Sequence, residues 1–236
     1  MHHILLDRWS QGASPLHRRD ARAKIVALLV FLILLATTPG NAIAILITDA
    51  ALLASAILIA GLPLSGVLLR AMVVLPFSLT FGLISWLAGE PARALALVEK
   101  SYLSTVAVLL LAGTTSLPLL LGGLERLGVP RLLVLVAQFL YRYLFVLAEQ
   151  AQHMRLAAAC REGGARAGRS FRFRAATGAL AVLFARSYNR AEGIHRAMQA
   201  RGFSGRFSIL HPQRFGTLDA AFLFFVSVFL VLVRVG

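Results

Sequence analysis

Apolar residues run along this chain in long, nearly unbroken stretches separated by short polar or turn-forming segments. A helix that crosses a bilayer needs roughly 20 mostly apolar residues. Five stretches approach that length: about Ala23–Thr38, Ala42–Ala60, Leu64–Leu87, Tyr102–Leu121 and Leu218–Val233. Pro39-Gly40-Asn41 joins the first two as a tight turn, Gly61-Leu62-Pro63 closes the second, and Gly89-Glu90-Pro91 follows the third; such residues punctuate regular structure. A sixth run, Leu132–Leu147, carries Gln138 and Arg142, with Glu149 just beyond it. At 100° per residue those three fall within about 40° of each other. An Arg at a bilayer centre costs roughly 2.5–3.5 kcal/mol, so the pattern predicts an amphipathic helix on the membrane domain, with a sixth span as the rival.

The expected architecture is therefore all-α: a polytopic membrane protein of about five spans plus a cytoplasmic domain of long amphipathic helices. Composition agrees. The 236 residues are 58% apolar and only 14% charged, with mean hydropathy +0.78, where a soluble domain is about 25% charged. A soluble enzyme, a disordered chain and a disulfide scaffold are excluded, the last because Cys160 is the single cysteine. No early apolar run ends in a small-residue cleavage site, so no secretory signal is expected.

Against this apolar background the net charge is +14, and every basic residue except Lys24 and Lys100 is Arg. Placement explains the charge. The N-terminal arm holds Arg8, Arg18, Arg19, Arg22 and Lys24, and residues 122–216 hold 15 Arg against Glu125, Glu149, Glu162 and Glu192, a net of +11. Both segments are expected in the cytoplasm by the positive-inside rule. Four spans lie between them, an even number, so the two assignments agree. The 88–101 loop and the C-terminus then fall outside. The expected domains are 1–24 (cytoplasmic arm), 25–121 (four spans), 122–216 (cytoplasmic block) and 217–236 (last span).

Within the block, residues 131–162 predict one long helix ending at Gly163-Gly164, followed by a short basic stretch, Arg166–Arg174. A second helix, about Ala175–Arg201, ends at Gly202, a natural residue after a helix C-terminus. Arg186, Arg190 and Arg201 fall within about 60° on that helix at 100° per residue, and Ile194 and Met198 form an apolar i, i+4 pair. Arg161 and Arg201 each close a long helix. A last-turn Arg favours the helix dipole by about 0.3–1 kcal/mol, which accounts for one such residue; the repetition in one block suggests a shared task.

Gly123-Leu124-Glu125-Arg126-Leu127-Gly128-Val129-Pro130, then Arg142-Tyr143, Glu149, Ala151, Arg155 and Arg161, resemble the coupling segment of energy-coupling factor (ECF) transporter transmembrane T components. So does Arg190-Ala191-Glu192 followed by Ala197-Met198-Gln199-Ala200-Arg201-Gly202. That family carries two Ala-Arg-Gly-type motifs at the tips of two coupling helices. The second is intact as Ala200-Arg201-Gly202; the first falls on Cys160-Arg161-Glu162, keeping Arg161 without its small neighbours. Ala185-Arg186-Ser187 is a third, mid-helix triplet. The arm Ser14-Pro15-Leu16-His17-Arg18-Arg19-Asp20-Ala21-Arg22-Ala23-Lys24 is similar to that of the CbiQ group, T components of cobalt importers, with Ala21 where the group usually has Pro.

The resemblance implies a non-catalytic subunit of an ATP-driven importer in the bacterial inner membrane, for cobalt or nickel. Its partners would be two cytoplasmic ATPase subunits and a substrate-binding S component, with room for a small accessory membrane subunit. Arg161, Arg201, Ala200, Gly202, Cys160, Arg186 and Arg190 are the candidate ATPase-coupling residues. The chain has no GxxxxGK[ST] loop for phosphates. No cofactor is expected. Nor is a metal site: His17, His153, His195 and His211 are scattered without ligand spacing, and His2-His3 would face the cytoplasm. A biotin-type vitamin importer is the alternative. An intramembrane enzyme ranks behind both, lacking GxSxG, HExxH or an Asp-rich motif; a nucleic-acid-binding module has the charge but no compact core, and a channel lacks a pore-loop pattern. Among ionisable residues near spans, Arg70 is expected to snorkel, Asp219 to cap its helix, and Asp49 to lie toward the outer half or pair with another helix.

Overall fold

The computed structural model describes residues 9–10, 12, 14–39, 42–161, 169–205 and 215–235. The turn residues Gly40 and Asn41, the segment 162–168 with Gly163-Gly164 and Arg166, and His2, His3 and His211 lie outside the described residues. Among the described residues every long element is a helix: α1 (Ala21–Thr37), α2 (Ile43–Ala60), α3 (Leu64–Ala71), α4 (Leu75–Leu87), α5 (Pro91–Thr114), α6 (Leu117–Arg126), α7 (Arg131–Arg161), α8 (Arg169–Ala200) and α9 (Thr217–Val235). The fold is the expected all-α class. Residues 1–129 with 211–236 form one compact unit and residues 130–210 a second.

In the first unit, α1, α2, α3, α5 and α9 pack around Phe31, Leu35, Leu53, Ile57, Val67, Val106 and Leu230. The outer surface is equally apolar: Phe77, Phe81, Trp86, Leu87, Phe224 and Phe225 are all exposed. A water-facing surface does not carry such a band, whereas lipid is satisfied by it. By length and composition, residues 64–87, 91–114, 131–161 and 217–234 suffice to cross a membrane, and residues 44–60 form a shorter apolar helix. The third stretch is helical throughout but interrupted by a 3₁₀ turn, Met72–Val74. Pro76, in the first turn of α4, has no N–H to continue an unbroken ladder.

Two boundaries differ from the sequence reading. The 88–101 segment is not a loop, because α5 starts at Pro91, a residue whose fixed φ and missing N–H suit a first helical position. The fourth apolar run is not one helix to Leu121 either. α5 stops at Thr114, and Leu117-Pro118 begins α6. Pro118 has no N–H for the Thr114 carbonyl four residues back and its ring would clash there, so the helix breaks; the buried Lys24 Nζ then donates to that freed carbonyl (3.0 Å) and to Thr115 Oγ1 (2.9 Å).

The arm and the bundle are tied at the same end. Asp20 caps α1, its Oδ1 accepting the Arg22 N–H at 2.9 Å. Its own N–H donates to Asp219 Oδ1 at 3.2 Å, while Asp219 Oδ2 accepts the Gly216 N–H at 3.0 Å. Asp219 thus caps α9 as expected and also bolts the arm to it. His17 bridges Ser14 Oγ (2.7 Å) and the Trp9 carbonyl (3.0 Å), and the Arg70 guanidinium lies over the Trp9 ring, 3.8 Å from its centre. Arg70 is therefore held on an aromatic face rather than free to snorkel.

Candidate coupling surface

The second unit consists chiefly of α7 and α8. α7 is helical to Arg161, the last described residue before 162–168, and the expected end at Gly163-Gly164 lies outside the described residues. α8 is already helical at Arg169, so most of the basic stretch 166–174 belongs to the helix rather than to a linker. A groove of about 640 Å³ between them is lined by Gln150, Met154, Ala157 and Arg161 of α7 and by Ala175, Gly178, Val182 and Arg186 of α8. The last turns of α7 thus face the first turns of α8, and the helices run antiparallel from their connection. Small residues on the facing sides allow the close approach.

α8 buries little of itself. Its least exposed positions, Ala179, Leu183, Ser187, Ile194 and Met198, recur at helical spacing and form one narrow stripe. The pair Ile194 and Met198 singled out from spacing lies on it. Away from it, Phe173, Leu180, Phe184 and Tyr188 are open, Phe184 being 73% exposed. On α7, Leu132, Leu133, Val136 and Leu140 are open too. Contiguous apolar surface of this kind marks a contact with protein or lipid.

The tip of α8 has a defined geometry. Gly202 adopts φ +70°, its N–H donates to the Gln199 carbonyl at 3.0 Å, and the Phe203 N–H reaches the Met198 carbonyl at 3.0 Å. These two bonds are the Schellman motif, with half-buried Met198 and Phe203 at the two positions that commonly carry its apolar contact. Arg201 is thereby placed on the last residue before the reversal, exposed, with Ala200 and Gly202 exposed on either side. A larger residue at 202 would disfavour the left-handed turn, which gives the Ala-Arg-Gly triplet a mechanical reading.

Among the described residues, Arg161, Arg186, Arg190 and Arg201 are all exposed and none forms an ion pair. The nearby acid Glu192 is engaged by Arg196 one turn on. Cys160 is an exposed thiol beside Arg161. The structure brings Arg161 and Arg186 to one groove but not Arg161 and Arg201. Ala175 lies across from Arg161, and Arg201 follows it along α8 by about 39 Å at 1.5 Å per residue. Arg161 and Arg201 therefore lie at opposite ends of α8, with Arg186 and Arg190 along the helix between them.

Sequence reasoning missed Lys24 as a positioning residue, treating it only as arm charge. Its signal was that it is one of just two lysines: a compact ammonium suits the three oxygens it reaches, the His17 and Thr114 carbonyls and Thr115 Oγ1, which the planar guanidinium does not. Of the two placements the sequence allows for Asp49, toward the outer half or paired with another helix, the structure shows the pairing, with Arg234 of α9. No group of three His, Cys, Asp or Glu side chains capable of holding a metal ion occurs among the described residues.

These features define a polytopic α-helical membrane protein with an arginine-tipped helical pair. Residues 12–211 match the family described as cobalt transport protein, CbiQ, and the chain belongs to that family. It is 35% identical over 123 residues to the cobalt transport protein CbiQ of Rhodobacter capsulatus, covering 52% of this chain and 50% of that one. It is 28% identical over 227 residues to the energy-coupling factor transporter transmembrane protein EcfT of Bacillus selenitireducens, covering 86% and 84%. The chain thus spans about half the length of the first relative and most of the second.

Proposed function

We propose that the chain is the transmembrane coupling (T) subunit of an ECF-type importer, passing ATP-driven motion from two cytoplasmic ATPase subunits to a substrate-binding membrane subunit. The cargo is a cobalt ion, with nickel as the close chemical variant. The observation that carries the reading is the pair of exposed, unpaired arginines, Arg161 and Arg201, on separate helix ends. A guanidinium binds a carboxylate through two parallel hydrogen bonds and so transmits direction as well as force. Each tip would sit in an acidic groove of one ATPase subunit and follow it when nucleotide closes the pair. Arg186 and Arg190 extend the basic surface along α8. The open apolar residues of α7 and of α8 around Leu180–Phe184 would rest against the substrate-binding subunit.

The subunit would sit in the bacterial inner membrane with arm and basic block in the cytoplasm. α7 is long and apolar enough to cross, but a fifth crossing before α8 would carry Arg186, Arg190 and Arg201 to the side opposite the arm. That contradicts the positive-inside distribution, so α7 is read as lying on the cytoplasmic side and α9 as the fifth span. The chain's role is mechanical rather than catalytic.

Arg201→Ala tests the reading. Metal uptake by cells carrying the full set of subunits should be lost, and ATPase recovery with the purified membrane subunit should fall. Normal uptake together with normal ATPase recovery would sink it. The CbiQ similarity favours a metal over the vitamin alternative; radiolabelled cobalt against biotin uptake in the reconstituted complex separates them.

A further inference from the structure

We propose that the first unit holds an anionic phospholipid, its phosphate headgroup between the N-terminal arm and the start of α9 and part of an acyl chain in the apolar cleft alongside. The headgroup pocket has a volume of about 550 Å³ and is lined by Arg18 and Arg19 of the arm and by Thr217, Leu218 and Asp219 of α9. Arg18 is exposed and Arg19 half-buried. Their backbone N–H groups bond within the arm, but neither guanidinium has an anionic partner among the described residues. The one carboxylate in the pocket is committed, since Asp219 accepts the Asp20 and Gly216 amides. Two arginines without an ion partner thus line a pocket whose single carboxylate is already held by two amides, and a guanidinium is the group that receives a phosphate bidentately.

The apolar cleft makes the ligand an amphiphile. It has a volume of about 130 Å³, room for a few methylenes of a chain that otherwise lies along the outer surface, and is lined by Leu16, Phe31, Phe222, Val226 and Leu230, with the buried Lys24 in its wall. On α9, Leu218 of the pocket and Phe222, Val226 and Leu230 of the cleft are spaced by four, so pocket and cleft lie along one helical face. On the arm, Leu16 of the cleft is two residues from Arg18. A free phosphate would satisfy only the basic half. A basic pocket at the end of apolar helices is the arrangement that recruits anionic headgroups.

The proposal goes beyond the coupling role and rests only on the bundle lying in a bilayer. The delipidated full-length chain in detergent is titrated with phosphatidylglycerol, phosphatidylcholine or inorganic phosphate, following thermal stability and, by native mass spectrometry, bound lipid. Phosphatidylglycerol should bind saturably and raise the melting temperature, and phosphatidylcholine should not. R18Q/R19Q should weaken phosphatidylglycerol binding roughly thirty-fold, taking about five-fold for each basic residue at an anionic surface. R18Q alone alters only an exposed side chain and should give about five-fold, so a folding defect in the double variant does not blunt the test. R93Q, a charge loss elsewhere on the surface, should match the unaltered protein. V226W, which fills the cleft, should weaken lipid binding. Equal binding of the two lipids, or unchanged phosphatidylglycerol binding in both Arg18 variants, overturns the proposal; protection by inorganic phosphate equal to that by lipid overturns its lipid half. The readouts need neither ATPase nor uptake, so failure here leaves the coupling reading standing, and the reverse holds too.

Discussion

Asp49 of α2 and Arg234 of α9 form a buried ion pair, Nη2 to Oδ2 at 3.3 Å, across 185 residues of sequence. The same guanidinium donates to the Leu34 carbonyl (3.2 Å), the Leu230 carbonyl (3.0 Å) and Thr38 Oγ1 (3.2 Å). Lys100 Nζ joins the cluster through the Ala36 and Thr38 carbonyls. Two cations thus meet the unsatisfied carbonyls at the end of α1, and Asp49 balances one of them. Through this cluster the last helix, which follows the whole second unit in sequence, is locked onto the first two.

Removing one partner of a buried pair leaves an uncompensated charge and costs more than losing the pair as a whole. Asp49→Ala should therefore destabilise the first unit by about 3 kcal/mol, the low end of the usual range, because three oxygens still hold Arg234. Asp49→Ala/Arg234→Ala should be less destabilised than the sum of the two single variants. Melting temperatures in detergent measure this double-mutant cycle, and strict additivity would show that the pair is not coupled.

How much of this was legible beforehand depended on the range of the interaction. Local punctuation was readable: the Gly61-Leu62-Pro63 turn stands where expected, with Gly61 at φ +69°. The break after Thr114 was written locally in Thr114-Thr115-Ser116 and Pro118 but was overridden by the apolar run on either side; what no local pattern shows is that Lys24, 90 residues away, fills the freed Thr114 carbonyl. The start of α5 was legible in Pro91 but was masked by the charges Arg93, Glu99 and Lys100, which resemble a loop. The Arg161 and Arg201 helix ends followed from sequence. Their separation did not, since it depends on which turns of α7 and α8 face each other. The partner of Asp49 lay beyond any periodicity.

Gly202 offers a test of tip geometry that leaves Arg201 in place. A Cβ at this position meets no neighbouring atom within 4 Å, so a substitution is felt only through the backbone at φ +70°. Gly202→Ala should destabilise the tip by about 1 kcal/mol, reducing uptake without abolishing it. Gly202→Asn should recover part of the loss, since Asn tolerates the left-handed region. If Ala and Asn behave alike, the turn is not what matters.

Asp20 gives a pH-dependent signature outside the spans. Burial alone would raise its carboxyl, but the Arg22 side-chain and amide hydrogen bonds, with the charges of Arg22 and Arg126, hold it below its ordinary value. A lowered folded-state value stabilises the protein above the unfolded carboxyl's range near 3.9, and the benefit is lost as pH falls through the lowered value. Asn caps a helix about as well as Asp, so Asp20→Asn removes mainly the charge. It should cost about 1 kcal/mol at pH 7, with melting curves of the two proteins converging well below pH 4.

Cys160 reports sidedness without engineering. It is the single cysteine and is exposed beside Arg161. A membrane-impermeant maleimide should label inside-out vesicles and spare intact spheroplasts, with ATPase addition slowing the reaction. Labelling of intact spheroplasts would place the block outside and overturn the orientation.

The separation of the two tips makes the sharpest demand. With Arg161 beside the first turns of α8 and Arg201 at its far end, roughly 40 Å on by helix rise, the proposed coupling role gives each tip its own groove on a separate ATPase subunit. Removing one tip should then leave one ATPase bound, and removing both should leave none. Loss of a bidentate charged contact of this kind weakens binding by 2–5 kcal/mol at buried positions, about 30- to 5,000-fold, enough to be decisive in native mass spectrometry of the purified assembly. Arg161→Ala and Arg201→Ala should each shift the mass by one ATPase subunit, and Arg161→Ala/Arg201→Ala by two. Lysine at either tip keeps the charge but not the fork, so Arg201→Lys should retain partial occupancy with slower uptake. If either single variant releases both subunits, the tips act as one site and the two-groove arrangement is wrong.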